Sequence, residues 1–134
     1  MSKREIRDVH VGDTFSASEE VDKYRTIYYA GASGDFNPIH IDPEFGKMVG
    51  LGGVILHGLC TFGFMTKTVT DWTGDPGSLK KLKCRFAKPV HLGDTVTTKG
   101  TLSAVEGNRA TIGLSVSNQD GADVLTQVSA EVEL

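Results

Sequence analysis

Two hydrophobic periods divide this chain near residue 78. Before it, apolar positions recur at helical spacing. After it, they fall at every second position. Val11-Gly12-Asp13 reads as a turn, and residues 14–17 as a first strand. Val21, Tyr24, Ile27 and Tyr28 then predict a helix, with Ser18 as its N-cap and Glu19 and Glu20 in its positive first turn. Asp42 followed by Pro43 predicts a capped short helix over residues 43–49, stopped at Gly50. A longer helix is expected over residues 58–72. Leu59, Phe62, Met65, Val69 and Trp72 line one side of it, and Cys60 and Phe64 widen that face. A helix this apolar belongs inside a wrapping sheet.

From Ser78 the pattern becomes that of strands. Leu82, Cys84 and Phe86 alternate with Lys81, Lys83 and Arg85. Pro89 and Leu92-Gly93-Asp94 interrupt, and a long strand over residues 95–105 turns at Glu106-Gly107-Asn108. Ala110, Ile112, Leu114 and Val116 alternate in the next strand, Asp120-Gly121 signals a hairpin, and residues 124–134 close the sheet. One strand, then helices, then four strands is an α+β layout, with an antiparallel five-stranded sheet packed on a helix.

Length and charge narrow this further. A chain of 134 residues is expected to form a single domain over residues 1–134, burying about two thirds of its unfolded surface. A formal net charge of -3 gives no reason to expect nucleic acid. Residues 48–65 carry no formal charge, but Gly50, Gly52, Gly53, Gly58 and Gly63 break the helix that a membrane span would need. No apolar run follows Met1-Ser2-Lys3-Arg4-Glu5, so no signal peptide is expected. Cys60 and Cys84 make no metal or redox motif, and a reduced, cytoplasmic setting is expected.

The candidate chemistry lies between Tyr29 and Gly58. The helical pattern stops at Ser33-Gly34, and a carboxylate (Asp35), an amide (Asn37) and an imidazole (His40) follow within six residues. Asn37-Pro38 favours a turn and bars helix at Asn37, so Asp35 and His40 share an irregular loop. Folded back on each other, the two can hold one water, one group orienting it and one moving its proton. The plainer alternative is ordinary turn chemistry with a histidine at the surface.

The run Asp35-Phe36-Asn37-Pro38-Ile39-His40-Ile41-Asp42, preceded by Ser33-Gly34, resembles the signature of the MaoC-like family, R-specific enoyl thioester hydratases and dehydratases. His57-Gly58 falls where that family has a His-Gly pair opening its long helix. The resemblance runs over residues 6–134, and Trp72-Thr73-Gly74-Asp75-Pro76-Gly77 is similar to short actinobacterial-type (3R)-hydroxyacyl carrier-protein dehydratase subunits. Gly46 stands where Ala is commoner, and Leu59 where Met is commoner.

The resemblance implies a hot-dog fold, with the sheet wrapped around a long central helix. It also implies reversible hydration of a trans-2-enoyl thioester, on coenzyme A or acyl carrier protein, to the (3R)-3-hydroxyacyl product. In that reading Asp35 accepts the water's proton, His40 orients the water and relays the proton, and the Gly58 N–H at the helix N-terminus steadies the thioester oxygen. Asn37 supports the loop or is simply its turn former. Ser33 and Asp42 read as caps, and His57 as a structural residue bonding a backbone carbonyl. Lys80, Lys81, Lys83, Arg85 and Lys88 make a basic strand that is either solvated or meets a carrier's phosphates, with Lys83 and Arg85 the leading candidates. No cofactor is expected, and no metal, because His40, Asp42 and His57 do not obviously converge. Open sheet edges predict a homodimer, with a heterodimer of two hot-dog subunits as the alternative. The competing functions are a non-catalytic acyl-binding subunit and an acyl thioesterase, because a fold does not dictate its chemistry.

Overall fold

The computed structural model describes residues 2–134. Strand β1 (Thr14–Glu20) leads to helices α1 (Arg25–Ser33), α2 (Pro43–Met48) and α3 (Gly58–Thr73), followed by strands β2 (Leu79–Phe86), β3 (Thr95–Glu106), β4 (Arg109–Ser117) and β5 (Asp123–Glu133). The strands form one sheet in the order β1-β3-β4-β5-β2, every neighbouring pair antiparallel. The long α3 is central to it, which is the hot-dog arrangement.

Alternation in the strands builds the wall that α3 packs on. Val96, Leu102, Ile112, Val116 and Val132 are fully buried, and so are Met65 and Val69 of α3. Each such side chain contributes roughly 1.5–3 kcal/mol by leaving water. The helix ends where Gly74 takes a left-handed φ of 74° and its N–H closes on the Thr70 carbonyl.

Three expectations about the helices need correction. Ser18 is not a cap: β1 continues through Glu20, and Ser18 Oγ shares a 2.7 Å hydrogen bond with Thr97 Oγ1 of β3. Seven residues of ladder pairing outweigh one cap. Asp22 serves the start of α1 instead, accepting from the Tyr24 N–H and pairing with Arg25. Val21 is buried but precedes α1, and Tyr24, Ile27 and Tyr28 face outward, so the buried positions on that helix are Thr26 and Ala30. Leu59 is also outside, 64% exposed, and the buried face of α3 runs through Cys60, Thr61, Met65, Thr68 and Val69. Thr68 is tolerated there because its hydroxyl bonds back to the Phe64 carbonyl.

Two backbone features prepare the site. Gln127 has a φ of 51°, the single positive value among described non-glycine residues. There β5 carries one extra residue: Lys83 lies opposite Ser129 but Arg85 opposite Thr126, and Leu114 opposite Val128 but Val116 opposite Leu125. This bulge turns Leu125 inward, so that Val124 and Leu125 are both buried. The second feature is Gly46, where a Cβ would run into the Gly53 carbonyl. That close approach seats the loop carrying Leu51, whose N–H bonds to the Gly46 carbonyl and whose own carbonyl meets His91 Nε2 at 2.7 Å.

Candidate active site

A chain of local hydrogen bonds shapes the loop after α1. Gly34, at φ 78°, closes the helix on the Ala30 carbonyl. The Ser33 hydroxyl donates to the Tyr29 carbonyl and accepts the Asp35 N–H at 3.1 Å. Asp35 Oδ1 accepts the Asn37 N–H at 3.2 Å, and Asn37 Oδ1 accepts the Ile39 N–H at 3.1 Å, opening the short turn Pro38–His40. Each side chain catches an amide two residues on, as Ser, Asp and Asn do in turns. Asp42 is engaged in capping α2 through the Glu44 and Phe45 N–H groups.

His40 is buried. Its Nδ1 lies 2.8 Å from the Ile55 carbonyl, which can only accept, so Nδ1 carries a proton and Nε2 faces the carboxylate. The carbonyl is well fixed, because Ile55 N–H bonds to Ile39 and the next residue, Leu56, bonds to Val90. Asp35 Oδ2 stands 3.8 Å from His40 Nε2, too far for a direct hydrogen bond. Asp35 itself is half exposed.

His57 ties these two residues together. It is buried, its Nε2–H donates to the Asp35 backbone carbonyl at 3.0 Å, and its ring stacks on His40 with centroids 3.9 Å apart and planes at 22°. Tyr29 packs on its side at 4.6 Å. Burial, then Cys60 and Asp35, push the Tyr29 phenol above its ordinary value. Burial likewise raises the Cys60 thiol, against the pull of Arg25, so it stays a thiol.

The sequence suggested no convergence of metal donors, yet Asp35, in place of Asp42, joins His40 and His57 with donor atoms within 4.8 Å of one another. The cluster still does not fit a chelate. One nitrogen of each ring is already engaged with a backbone carbonyl, His57 Nε2 with Asp35 and His40 Nδ1 with Ile55.

Gly58 is the first residue of α3, and its N–H is among the four that an α-helix leaves without an internal partner. Two cavities meet there. One, of about 330 Å³, is walled by apolar side chains including Ile55, Leu56, Val124 and Leu125, with His40 at one side and Lys88 among its lining. The other, of about 360 Å³, takes in Tyr29, Ser33, Asp35, His57 and Leu59. Gly58 and Phe86 line both. Ser33, Asp35, His40, His57 and Gly58 are thus brought together, while Asn37 lines neither cavity and serves the turn through its bond to the Ile39 N–H. Lys83 and Arg85 are not: they line neither cavity and stand exposed on the face of β2 opposite Leu82 and Cys84. Phe86 and Tyr29 join the site unannounced by any motif, and of the basic cluster only Lys88 reaches it. The strand alternation did put Phe86 on the helix side, but nothing in it points to Gly58.

A five-stranded hot-dog sheet, with a carboxylate and an imidazole at the mouth of its central helix, defines the class of protein. Residues 9–122 match the MaoC-like domain, and the chain belongs to the MaoC-like family. A probable enoyl-CoA hydratase 2 of Dictyostelium discoideum is 40% identical over 112 residues, covering 81% of this chain and 37% of that protein. The 3-hydroxyacyl-thioester dehydratase Y of Mycobacterium tuberculosis is 36% identical over 94 residues, covering 68% of this chain and 32% of that protein. The chain therefore spans only about a third of these curated relatives. Among solved structures, an (R)-hydratase from A. caviae involved in PHA biosynthesis superposes with a TM-score of 0.87 at 26% identity, covering 96% of this chain and 98% of that one.

Proposed function

We propose that this chain is a hydro-lyase that reversibly adds water to a trans-2-enoyl thioester to give the (3R)-3-hydroxyacyl thioester. The observation that carries the reading is the 3.8 Å gap between Asp35 Oδ2 and His40 Nε2, opening beside the free N–H of Gly58. One water fits such a gap with a hydrogen bond of about 2.8 Å to each atom. Asp35 takes a proton as the water oxygen bonds to C3. Electron density moves onto the thioester oxygen, which the Gly58 N–H and the positive helix end steady. The proton held by the Asp35–His40 pair then goes to C2, the carbonyl reforms, and both groups are restored. Running backwards, the same steps dehydrate. The named relatives, a hydratase and a dehydratase, describe those two directions and favour this reading over a binding subunit or a thioesterase.

A panel of trans-2-enoyl thioesters of rising length, on coenzyme A and on acyl carrier protein, tests it. Loss of the enoyl absorbance without free thiol is the expected result. Release of thiol means a thioesterase, and no change in either means a binding chain.

The carrier's phosphates are assigned to β2 and its end. Lys80, Lys81, Lys83, Arg85 and Lys88 are exposed, and among the described residues none is in an ion pair. Lys83 and Arg85 stand away from the cavities, so they suit the carrier rather than the acyl chain. Lys83→Glu or Arg85→Glu is expected to raise KM several-fold and flatten its salt dependence while kcat holds. An unchanged KM on both carriers would mean a merely solvated strand.

The working unit is proposed to be a homodimer of single-domain chains, with pairing to a second hot-dog subunit as the alternative. Strands β1 and β2 are open edges, and Ile27, Tyr28, Phe36 and Leu59 are large apolar side chains left exposed by one chain. Light scattering should give twice the chain mass. A stable, active monomer would refute this, and an unstable chain rescued by a partner would favour the heterodimer. No helix among the described residues is long and apolar enough to cross a membrane. A cytoplasmic setting is part of the proposal, supported by the free thiols of Cys60 and Cys84.

A further inference from the structure

Phe86 stands where the two cavities meet. Strand parity turns it to the helix side with Leu82 and Cys84, and the ring lies so close over Gly58 that a Cβ there would come 2.9 Å from Phe86 Cε1. It is nevertheless 55% exposed. Its backbone neighbours are held, since the Ala87 and Lys88 N–H groups both bond to the Val124 carbonyl at 3.0 and 3.2 Å. A ring on a fixed backbone, with one side open to solvent, can swing about its own side-chain bonds at little cost. Its position matters because His40 faces the apolar cavity and Asp35 the other, while Gly58 borders both. An enoyl group that touches all three has to lie across the boundary that this ring occupies.

We propose that Phe86 is a specificity-determining gate for the acyl chain, displaced on binding and selecting against bulk beyond the reacting carbons. The inference rests on the acyl thioester reading given above. Phe86→Ala removes the gate and Phe86→Trp enlarges it, so the two variants should move selectivity in opposite directions. The ratio of kcat/KM for trans-2-dodecenoyl-CoA to that for crotonyl-CoA is expected to rise at least tenfold in Phe86→Ala and to fall in Phe86→Trp. Both variants should melt near the parent, because the side chain is half exposed. Calorimetric binding of the saturated lauroyl-CoA and butyryl-CoA should shift in the same two directions without any turnover. Ratios within twofold of the parent in both variants, by kinetics and by binding, overturn the gate. Failure of the parent to hydrate either enoyl thioester would overturn the proposed reaction, and the binding ratios would still decide the role of Phe86.

Discussion

Asp35→Asn is expected to lower kcat/KM for enoyl hydration by about 10²–10⁴-fold, the usual contribution of a positioned acid or base. The change is close to isosteric. The amide oxygen can still accept the Asn37 N–H, and His57 still bonds the Asp35 backbone carbonyl, so the loop should keep its shape. With the side chain half exposed, stability should move by less than about 0.5 kcal/mol. His40→Ala should cost a similar factor in rate but also some stability. It strips the hydrogen bond from the Ile55 carbonyl and the stacking partner from His57, and an unpaired buried carbonyl typically costs about 1–3 kcal/mol. Its rate is best measured well below its own melting temperature. The double variant should lose little beyond the worse single one, because the two groups act on one water. Full activity in a folded Asp35→Asn protein would remove the pair from the mechanism.

Substitution of Gly58 separates the N–H from the space around it. Gly58→Pro deletes the donor, at the first helical position where Pro is best tolerated. The preceding residue already suits it: His57 sits at φ -58° and ψ 132°, the extended conformation that a following Pro demands. Gly58→Ala is the matched control, since it brings the same Cβ against Phe86 but keeps the N–H. An oxyanion donor is worth roughly 3 kcal/mol, so the Pro variant should fall about 10²-fold below the Ala variant in kcat. Equal rates in the two would place the donor elsewhere. The two backgrounds share the crowding of Phe86, so the comparison does not depend on the gate.

Local chemistry explains why so much of this site could be read along the chain. Ser33, Asp35 and Asn37 each hydrogen-bond an amide only two residues away, so residue types alone dictate the loop. The span of α3 was legible as well, expected over residues 58–72 and found at Gly58–Thr73. Distant contacts were not legible. Ser18 became strand because Thr97 lies across from it, 79 positions away. Leu59 left the core because the sheet covers Cys60, Thr61 and Met65, a rotation that the mostly apolar first half of α3 does not specify. His57 is stacked on His40, and Phe86 is set over Gly58, by the docking of α3 against the loop and against β2. Periodicity reports which side of an element is apolar. It carries no information about which residue of another element will stand opposite, because that is settled by register, by the bulge at Gln127 and by the volume left when helix and sheet close on each other.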